Sequence, residues 1–273
     1  MTITSMDLLV SGFVPGVQPV VKVSGSNLAA GTYHSTWYLG SMPAAGSAPA
    51  ASLNGANYVA PVNGGIAVPA TVSGEQSYLS RVEFVPGATS NVAMVSIVDR
   101  LWANGGIGIT TTGAQAITQP TLPARDATGS TSGVGVLVAI EVSALCGNGA
   151  VANTTMSYTN SSGTAGRTAT ITSFPAAATV GTWVVFNLQA GDVGVQSIQS
   201  ITLGTTYVSG TINLVAFREL VRIPLAGSLV AVDRSAYQLD LPPVYNSSVV
   251  SLVYLPSSTT FGTLVGSLAY AQG

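Results

Sequence analysis

Chemistry in this chain would have to come from very few side chains. His34 is the single histidine, so a Ser-His-Asp triad would depend on it, and a histidine metal site would have only one nitrogen ligand. It lies among aromatic residues in YHSTWYLG (33–40). One imidazole in a hydroxyl-rich stretch indicates a packed or interface residue rather than a catalytic base.

The carboxylates Glu83, Asp99, Asp126 and Glu141 could in principle supply the pair of acids that a glycosidase needs, but their spacing singles out no pair. Aromatic residues make up only 7% of the chain, whereas glycan clefts usually present stacked rings. Asp126 lies in a Gly- and Ser-rich loop (122–133), where a cation site is conceivable. A plain surface or interface loop is the simpler interpretation.

Oppositely charged residues are close together along the chain at three places. They predict structural ion pairs at strand ends or interfaces: Arg81 with Glu83, Asp99 with Arg100, and Arg125 with Asp126.

Other motifs fail on their context. GNGAVA (147–152) has the letters of a dinucleotide-binding turn, but the next residues predict a strand instead of the helix that the motif requires. Three Asn-x-Ser/Thr triplets begin at Asn153, Asn160 and Asn246; without a secretory signal before them they reflect only richness in Ser and Thr. We therefore expect no catalytic, cofactor-binding or metal-binding residue, and a chain that is not an enzyme.

The composition favours assembly. Lys and Arg number 8 and Asp and Glu 10, together 7% of the chain, whereas soluble proteins average about 25%. With a net charge of −2 and 47% hydrophobic residues, little repulsion keeps copies apart. Lys22 is the only lysine, so there is no basic patch for nucleic acid. No apolar run is long enough for a membrane helix, and the lone Cys146 predicts a buried thiol in a reducing compartment.

Alternating apolar residues and turn clusters between residues 78 and 225 predict about eight strands. Their ranges are 78–85, 92–102, 134–142, 155–160, 167–173, 182–188, 195–203 and 211–225. This pattern predicts an all-β, antiparallel β-sandwich of the jelly-roll type. An immunoglobulin-like sandwich is the alternative, but the chain lacks its paired cysteines.

Three regions are expected along the chain. Residues 1–76 form an N-terminal arm with the first strands, 77–225 the β-sandwich core, and 226–273 a C-terminal β extension or assembly segment. The uncharged stretch 41–55 should lie extended on a neighbouring subunit or along its own sheet, with disorder as the alternative. The apolar strands 249–255 and 261–270 should be buried, as added strands or against another subunit.

Several segments carry a resemblance. They are WYLGSMPAAGSAPAAS (37–52), DRLWANGGIGITTTGAQAITQPTLPARDATGSTSGVGVLVAIEV (99–142), SYTNSSGTAGRTATITSFPAA (157–177) and FNLQAGDVGVQSIQSITL (186–203). Over about residues 37 to 225 the chain resembles virion proteins of tailed double-stranded DNA bacteriophages. The resemblance implies a particle component and transfers no functional residue.

Physical arguments indicate where on the particle the protein would lie. A tailed-phage major capsid protein would have a long spine helix and charged contacts, and contact with packaged DNA would favour a basic surface. We therefore expect an outer capsid decoration (cement) protein, a homotrimer that clamps neighbouring major capsid subunits and assembles in the host bacterial cytoplasm. The alternatives are a tail, neck or fibre-base component, a receptor- or glycan-binding surface module, and a depolymerase.

Overall fold

The structure is a computed structural model that describes residues 3–23, 28–88 and 92–273. Its strands are β1 (Gln18–Lys22), β2 (Tyr33–Ser35), β3 (Ser41–Met42), β4 (Ala56–Asn57), β5 (Ser77–Pro86), β6 (Ala93–Ala103), β7 (Gln115–Ala116), β8 (Val136–Ala144), β9 (Val151–Asn160), β10 (Arg167–Phe174), β11 (Thr182–Val185), β12 (Val195–Thr202), β13 (Thr211–Leu225), β14 (Val232–Ser235), β15 (Pro243–Val244), β16 (Val250–Pro256) and β17 (Leu264–Gln272). Two short helices, α1 (Met6–Ser11) and α2 (Ala236–Leu239), accompany them. The predicted all-β, antiparallel fold is confirmed.

A closed ring of six strands forms the centre of the molecule. Its order is β13-β8-β11-β2-β16-β6, and β6 pairs back onto β13, while β4 is added beside β6. Closure is possible because β6 and β13 are long, 11 and 15 residues, so that each pairs on both sides. A closed barrel leaves no unpaired edge among these six strands.

Two further sheets pack on the outside of the barrel. One has the order β10-β9-β12-β7, and the other the order β14-β5-β17-β1-β3 with β15 beside β5. Each covers one side of the barrel with its own apolar cluster, so both contacts are sandwich-like.

Strand β8 shows how alternation builds these layers. Val136, Val138 and Ile140 contact the cluster under the β9 sheet, while Ala139 belongs to a third cluster made by residues of the other barrel strands. Since alternate residues of a strand point to opposite faces, Glu141 shares the face of Ala139 and points into the barrel.

The uncharged stretch 41–55 lies along its own chain. The indole N–H of Trp102 donates to the carbonyl of Asn54 at 3.0 Å, and the indole N–H of Trp37 donates to the carbonyl of Ser47 at 3.0 Å. Gly46 lies so close to Trp37 that a Cβ there would be 2.1 Å from the ring. The sequence left two positions open for this stretch, on a neighbouring subunit or along its own sheet, and the structure shows the second.

The C-terminal residues 226–273 supply strands to the same sheets as the predicted core. β16 lies between β2 and β6 in the barrel, and β17 lies between β5 and β1 in a flanking sheet. Within the described residues, no helix is long and apolar enough to cross a membrane.

Candidate functional sites

His34 is a packed imidazole on β2. It is 1% exposed, and its Nε2 accepts a hydrogen bond from the backbone N–H of Ala29 at 3.1 Å. Its buried Nδ1 has no hydrogen-bond partner among the residues that the structure describes. Burial lowers the pKa of His34 to about 4. The ring is therefore neutral at pH 7.

The predicted pair of Asp99 with Arg100 is wrong. Neighbouring residues of a strand point to opposite faces, so Arg100 turns into the barrel and Asp99 turns outward. Arg100 binds both carboxylate oxygens of Glu141, at 2.9 and 2.6 Å, with neither side chain exposed. Asp99 instead faces Arg125 at 3.5 Å and Arg218 at 3.9 Å.

The buried guanidinium of Arg100 is enclosed by aromatic rings. Its carbon lies over the ring centroids of Trp37 at 4.3 Å, Tyr58 at 5.2 Å and Trp183 at 5.5 Å. Burial would lower the pKa of Arg100, but the Glu141 carboxylate, together with Tyr58 and Tyr38, outweighs burial and raises that pKa. Cation–π contacts and a bidentate ion pair hold the charged Arg100 and Glu141 side chains in the barrel core.

The predicted pair of Arg125 with Asp126 is also wrong. The two carboxylate oxygens of Asp126 accept seven hydrogen bonds from its own loop, given by N–H or O–H groups of Thr128, Ser130, Ser132, Gly133 and Val134. Burial would raise the pKa of Asp126, but the hydrogen bonds from Ser130 and Thr128 lower it. A carboxylate has about four lone-pair sites, so these donors leave none for the conceivable cation. Asp126 therefore stabilises the conformation of its own loop.

Arg81 and Glu83 lie 3.7 Å apart on the exposed face of β5. The nearer partner of Arg81 is Asp233 on β14, reached by two hydrogen bonds of 3.0 and 2.8 Å. All three side chains are between 41% and 49% exposed. Ion pairs this exposed contribute little to stability.

The four candidate carboxylates thus occupy separate environments. Among the described residues, no group of three His, Cys, Asp or Glu side chains is placed to hold a metal ion. Cys146 is buried, and burial raises the pKa of its thiol to about 11, so little reactive thiolate forms at pH 7.

The remaining sequence motifs have structural positions. The turn 147–152 leads into β9, the predicted strand. Asn160 ends that strand, and its Oδ1 accepts hydrogen bonds from the N–H groups of Ser162 and Thr164 in the β9–β10 turn. Asn246 Oδ1 accepts from the N–H of Thr71.

An exposed apolar groove lies between α1 and α2, above β5 and β17. We name it the α1–α2 groove; it has a volume of about 550 Å³ and is lined by Met6, Phe13, Val17 and Tyr237. These side chains are 63%, 46%, 51% and 91% exposed. The one sequence signal for α1 is Ser5, whose hydroxyl accepts the N–H of Leu8 at the helix start.

A second cavity opens at one end of the barrel. We name it the barrel-mouth cavity; its volume is about 190 Å³, and residues of all six barrel strands line it. Trp183 and Phe217 meet edge to face at 5.0 Å in its wall. Glu219 and Arg222 form a bidentate ion pair, at 2.8 and 2.8 Å, and are 26% and 49% exposed.

A bulge in β13 explains why Glu219 and Arg222 meet. Residues three apart on a regular strand point to opposite faces. The register of β13 against β6 shifts between Glu219 and Val221, and this extra residue brings Arg222 to the side of Glu219. Alternation in the sequence cannot reveal a bulge, so this site was not predicted.

A wider groove of about 420 Å³ adjoins the barrel-mouth cavity and shares Tyr33, Trp183 and Val185 with it. We name it the hydroxyl groove, because Thr32 and Ser173 contribute to its lining and no charged residue does.

Comparisons with known proteins give no assignment. No protein-family model and no curated protein matches the chain. Two solved structures of infectious bursal disease virus, the Gt strain and a VP2 subviral particle, align with 97% and 99% of this chain and with 86% of their own chains. Identity is 13% in both, and the TM-scores are 0.16 and 0.17. Scores this low assign neither a fold nor a function to the chain.

Proposed function

We propose that this chain is a structural protein of a bacteriophage particle, an outer capsid decoration (cement) protein that clamps neighbouring major capsid subunits. The α1–α2 groove is the observation that carries the proposal. Its exposed apolar side chains, up to 91% exposed at Tyr237, stand on a chain with only 7% charged residues. An exposed apolar patch of this kind marks a surface for association.

The rigidity of the barrel beneath the groove is consistent with a protein that clamps its neighbours. A closed barrel with two sheets packed on it leaves few ways to deform, and the enclosed Arg100–Glu141 pair ties β6 to β8 across the interior. Close packing of this kind transmits strain instead of absorbing it. A protein that stabilises a shell against internal pressure requires that stiffness.

The placement of the titratable groups supports a non-enzymatic role. Asp99 and Glu141 are committed to arginines, Asp126 to its loop, and His34 to a packed neutral state. Glu83 stands apart on an exposed strand face. No two of these groups share the cavity that a catalytic pair would need.

We propose that the α1–α2 groove contacts a second copy of the chain in a homotrimer. A trimer ring requires two different complementary patches on each subunit, and the groove would be one of them. The major capsid protein would then bind the assembled trimer.

Cryo-electron microscopy of the virion tests the location. Many symmetry-related copies over the outer face of the head would support the decoration protein. Copies confined to the tail vertex would overturn it in favour of a tail, neck or fibre-base component. Copy number per particle, measured by quantitative mass spectrometry, gives the same answer independently.

A further inference from the structure

The turn 147–152 is followed by β9 and not by the helix of a dinucleotide site, but it contains a reactive pair, Asn148 and Gly149. The side-chain amide carbon of an asparagine can reach the backbone nitrogen of the next residue, and a reaction within one chain is strongly favoured over one between separate molecules. Glycine has no Cβ to shield that nitrogen. An Asn-Gly pair is therefore the dipeptide most prone to this cyclisation.

The chain contains four Asn-Gly pairs, which begin at Asn54, Asn63, Asn104 and Asn148. Cyclisation requires the asparagine amide to leave its hydrogen bonds and the backbone to rotate. The local structure around each pair therefore decides which of the four can react in the folded protein.

Two of the pairs are restrained by hydrogen bonds of the asparagine side chain. Asn104 is fully buried; its Oδ1 accepts the N–H of Leu214 at 2.8 Å, and its Nδ2 donates to the carbonyl of Leu53 at 3.0 Å. The Oδ1 of Asn54 accepts the N–H of Thr118 at 2.9 Å. Cyclisation would break these hydrogen bonds, so both asparagines are protected.

The third pair is restrained by packing. Gly64 is buried at a φ of +89°, so close to Trp37 that an added Cβ would lie 2.8 Å from the ring. The turn around it is closed by the N–H of Gly65, which donates to the carbonyl of Val62 at 3.1 Å. Rotating the Gly64 nitrogen towards the Asn63 side chain would disrupt this contact with Trp37.

Asn148 and Gly149 have neither restraint. Asn148 is exposed, and within the described part of the chain neither its side-chain amide nor the N–H of Gly149 has a hydrogen-bond partner. Nothing lies within 4 Å of a Cβ added to Gly149, so the space around its backbone is open. Of the four pairs, this one is free to cyclise.

We propose that Asn148 is a site of spontaneous covalent modification in the folded protein. The deprotonated backbone nitrogen of Gly149 attacks the side-chain amide carbon of Asn148, so that a C–N bond forms and ammonia leaves. The product is a succinimide ring. Water then adds to one of the two ring carbonyl carbons and breaks its bond to nitrogen, which leaves either an aspartate or an isoaspartate. No oxidant, reductant or enzyme is required.

The modification changes the surface of a chain that carries little charge. Each event replaces a neutral amide by a carboxylate and so adds one negative charge to a net charge of −2. The exposed side chain of Val208 lies beside the loop, because a Cβ added to Gly147 would be 2.6 Å from its Cβ. The loop does not line the α1–α2 groove, so modified copies should still assemble through that groove.

Peptide mapping by mass spectrometry of the full chain, kept folded for days in warm buffer at pH 8, tests the proposal. Asn148 should convert to a mixture of aspartate and isoaspartate. It should convert at least about tenfold faster than Asn54, Asn63 and Asn104, because those three react only after local opening. In guanidinium chloride, where no pair is restrained, all four should convert at similar rates.

A variant separates cyclisation from direct hydrolysis of the amide. Gly149→Ala keeps Asn148 and adds a Cβ only to open space, so it should fold normally and slow the conversion at least about tenfold, because the Cβ shields the attacking nitrogen. Gly113→Ala, where an added Cβ also meets nothing within 4 Å, is the matched control and should leave the rate unchanged. Equal melting temperatures show that both variants fold.

Three results would overturn the modification site: an unchanged Asn148 in the folded chain after the unfolded chain has converted; equal conversion of the four pairs in the folded chain; or undiminished conversion in folded Gly149→Ala. None of these results bears on the place or copy number of the protein in the particle. The modification site and the decoration role therefore fail independently.

Discussion

At the scale of single residues, the Arg100–Glu141 pair shows why charge is both rare and important in this chain. Both side chains are fully buried, and a charge without its partner in such a place is strongly destabilising. The aromatic rings around Arg100 would not replace a carboxylate. We therefore expect the pair to be required for folding more than for any interaction with ligands.

Glu141→Gln tests that requirement. It keeps the side chain's size but leaves the Arg100 charge uncompensated, so the free energy of unfolding should fall by about 3 to 5 kcal/mol. Urea denaturation followed by tryptophan fluorescence measures it. Glu83→Gln is the matched control, because the Glu83 side chain is 41% exposed and its loss should cost less than about 0.5 kcal/mol. Equal effects of the two substitutions would refute a structural role for the pair.

His34 predicts a specific dependence of stability on pH. Its folded-state pKa is lowered to about 4 from an ordinary value of 6.5, so between these values the unfolded chain binds the proton and the folded chain does not. Stability from this group is complete above pH 6.5 and is lost as the pH falls towards 4. The loss amounts to about 3 kcal/mol at most.

The His34→Gln variant isolates this effect. Its side-chain oxygen can still accept the Ala29 N–H, but it does not titrate. The wild-type protein should therefore lose more stability than the variant between pH 7 and pH 4.5 in parallel urea titrations. Parallel curves for the two proteins would show that His34 is not the responsible group.

Sequence reasoning located single residues on their faces but not their partners. In β5, buried Val82 and Phe84 alternate with exposed Arg81, as the sequence pattern of this strand indicates. Sequence reasoning paired Asp99 with Arg100 because they are adjacent, whereas their true partners, on β8, β13 and the loop before β8, are set by sheet pairing. A local sequence pattern carries no information about partners that are far apart in the chain.

At the scale of elements, long strands were predictable and short ones were not. The predicted strands 155–160 and 167–173 lie in β9 and β10, which pair antiparallel, and Ala169 and Ile171 are buried at alternate positions of β10. β2, β3, β4, β7 and β15 have only two or three residues each, too few for a period to show. Tyr33, which lines the barrel-mouth cavity, lies on such a strand, so this cavity could not be read from the sequence.

The stretch 41–55 is held by a close approach that glycine permits. Gly46→Ala would place a Cβ within 2.1 Å of Trp37, forcing the segment off the ring at a cost of about 1 to 3 kcal/mol. Hydrogen exchange of residues 44–52 should become faster. Gly40→Ala is the control, since nothing lies within 4 Å of its added Cβ. Identical exchange in the two variants would mean that Trp37 does not anchor the stretch.

At the scale of the whole molecule, the closing contact of the barrel joins distant parts of the chain. β6 pairs with β13, and β16 completes the ring beside β6. The sandwich prediction captured the antiparallel layers because alternation reports two faces. It could not foresee closure, which depends on register between residues more than 100 positions apart, such as Val215 opposite Ala103.

The low charge of the chain predicts that copies associate. With a net charge of −2, repulsion between copies is weak, and the α1–α2 groove offers each copy an apolar surface. Native mass spectrometry at low micromolar concentration should show a trimer. Phe13→Ser with Tyr237→Ser should shift it towards monomer, because burial of two aromatic side chains is lost.

The comparison needs a control that removes exposed apolar surface elsewhere. Val208→Ser serves, because Val208 is 76% exposed and does not line the groove; it should leave the trimer intact. A wild-type protein that is only monomeric would contradict the homotrimer. A trimer unaffected by the groove substitutions would place the subunit contact on another surface and leave the groove to the capsid.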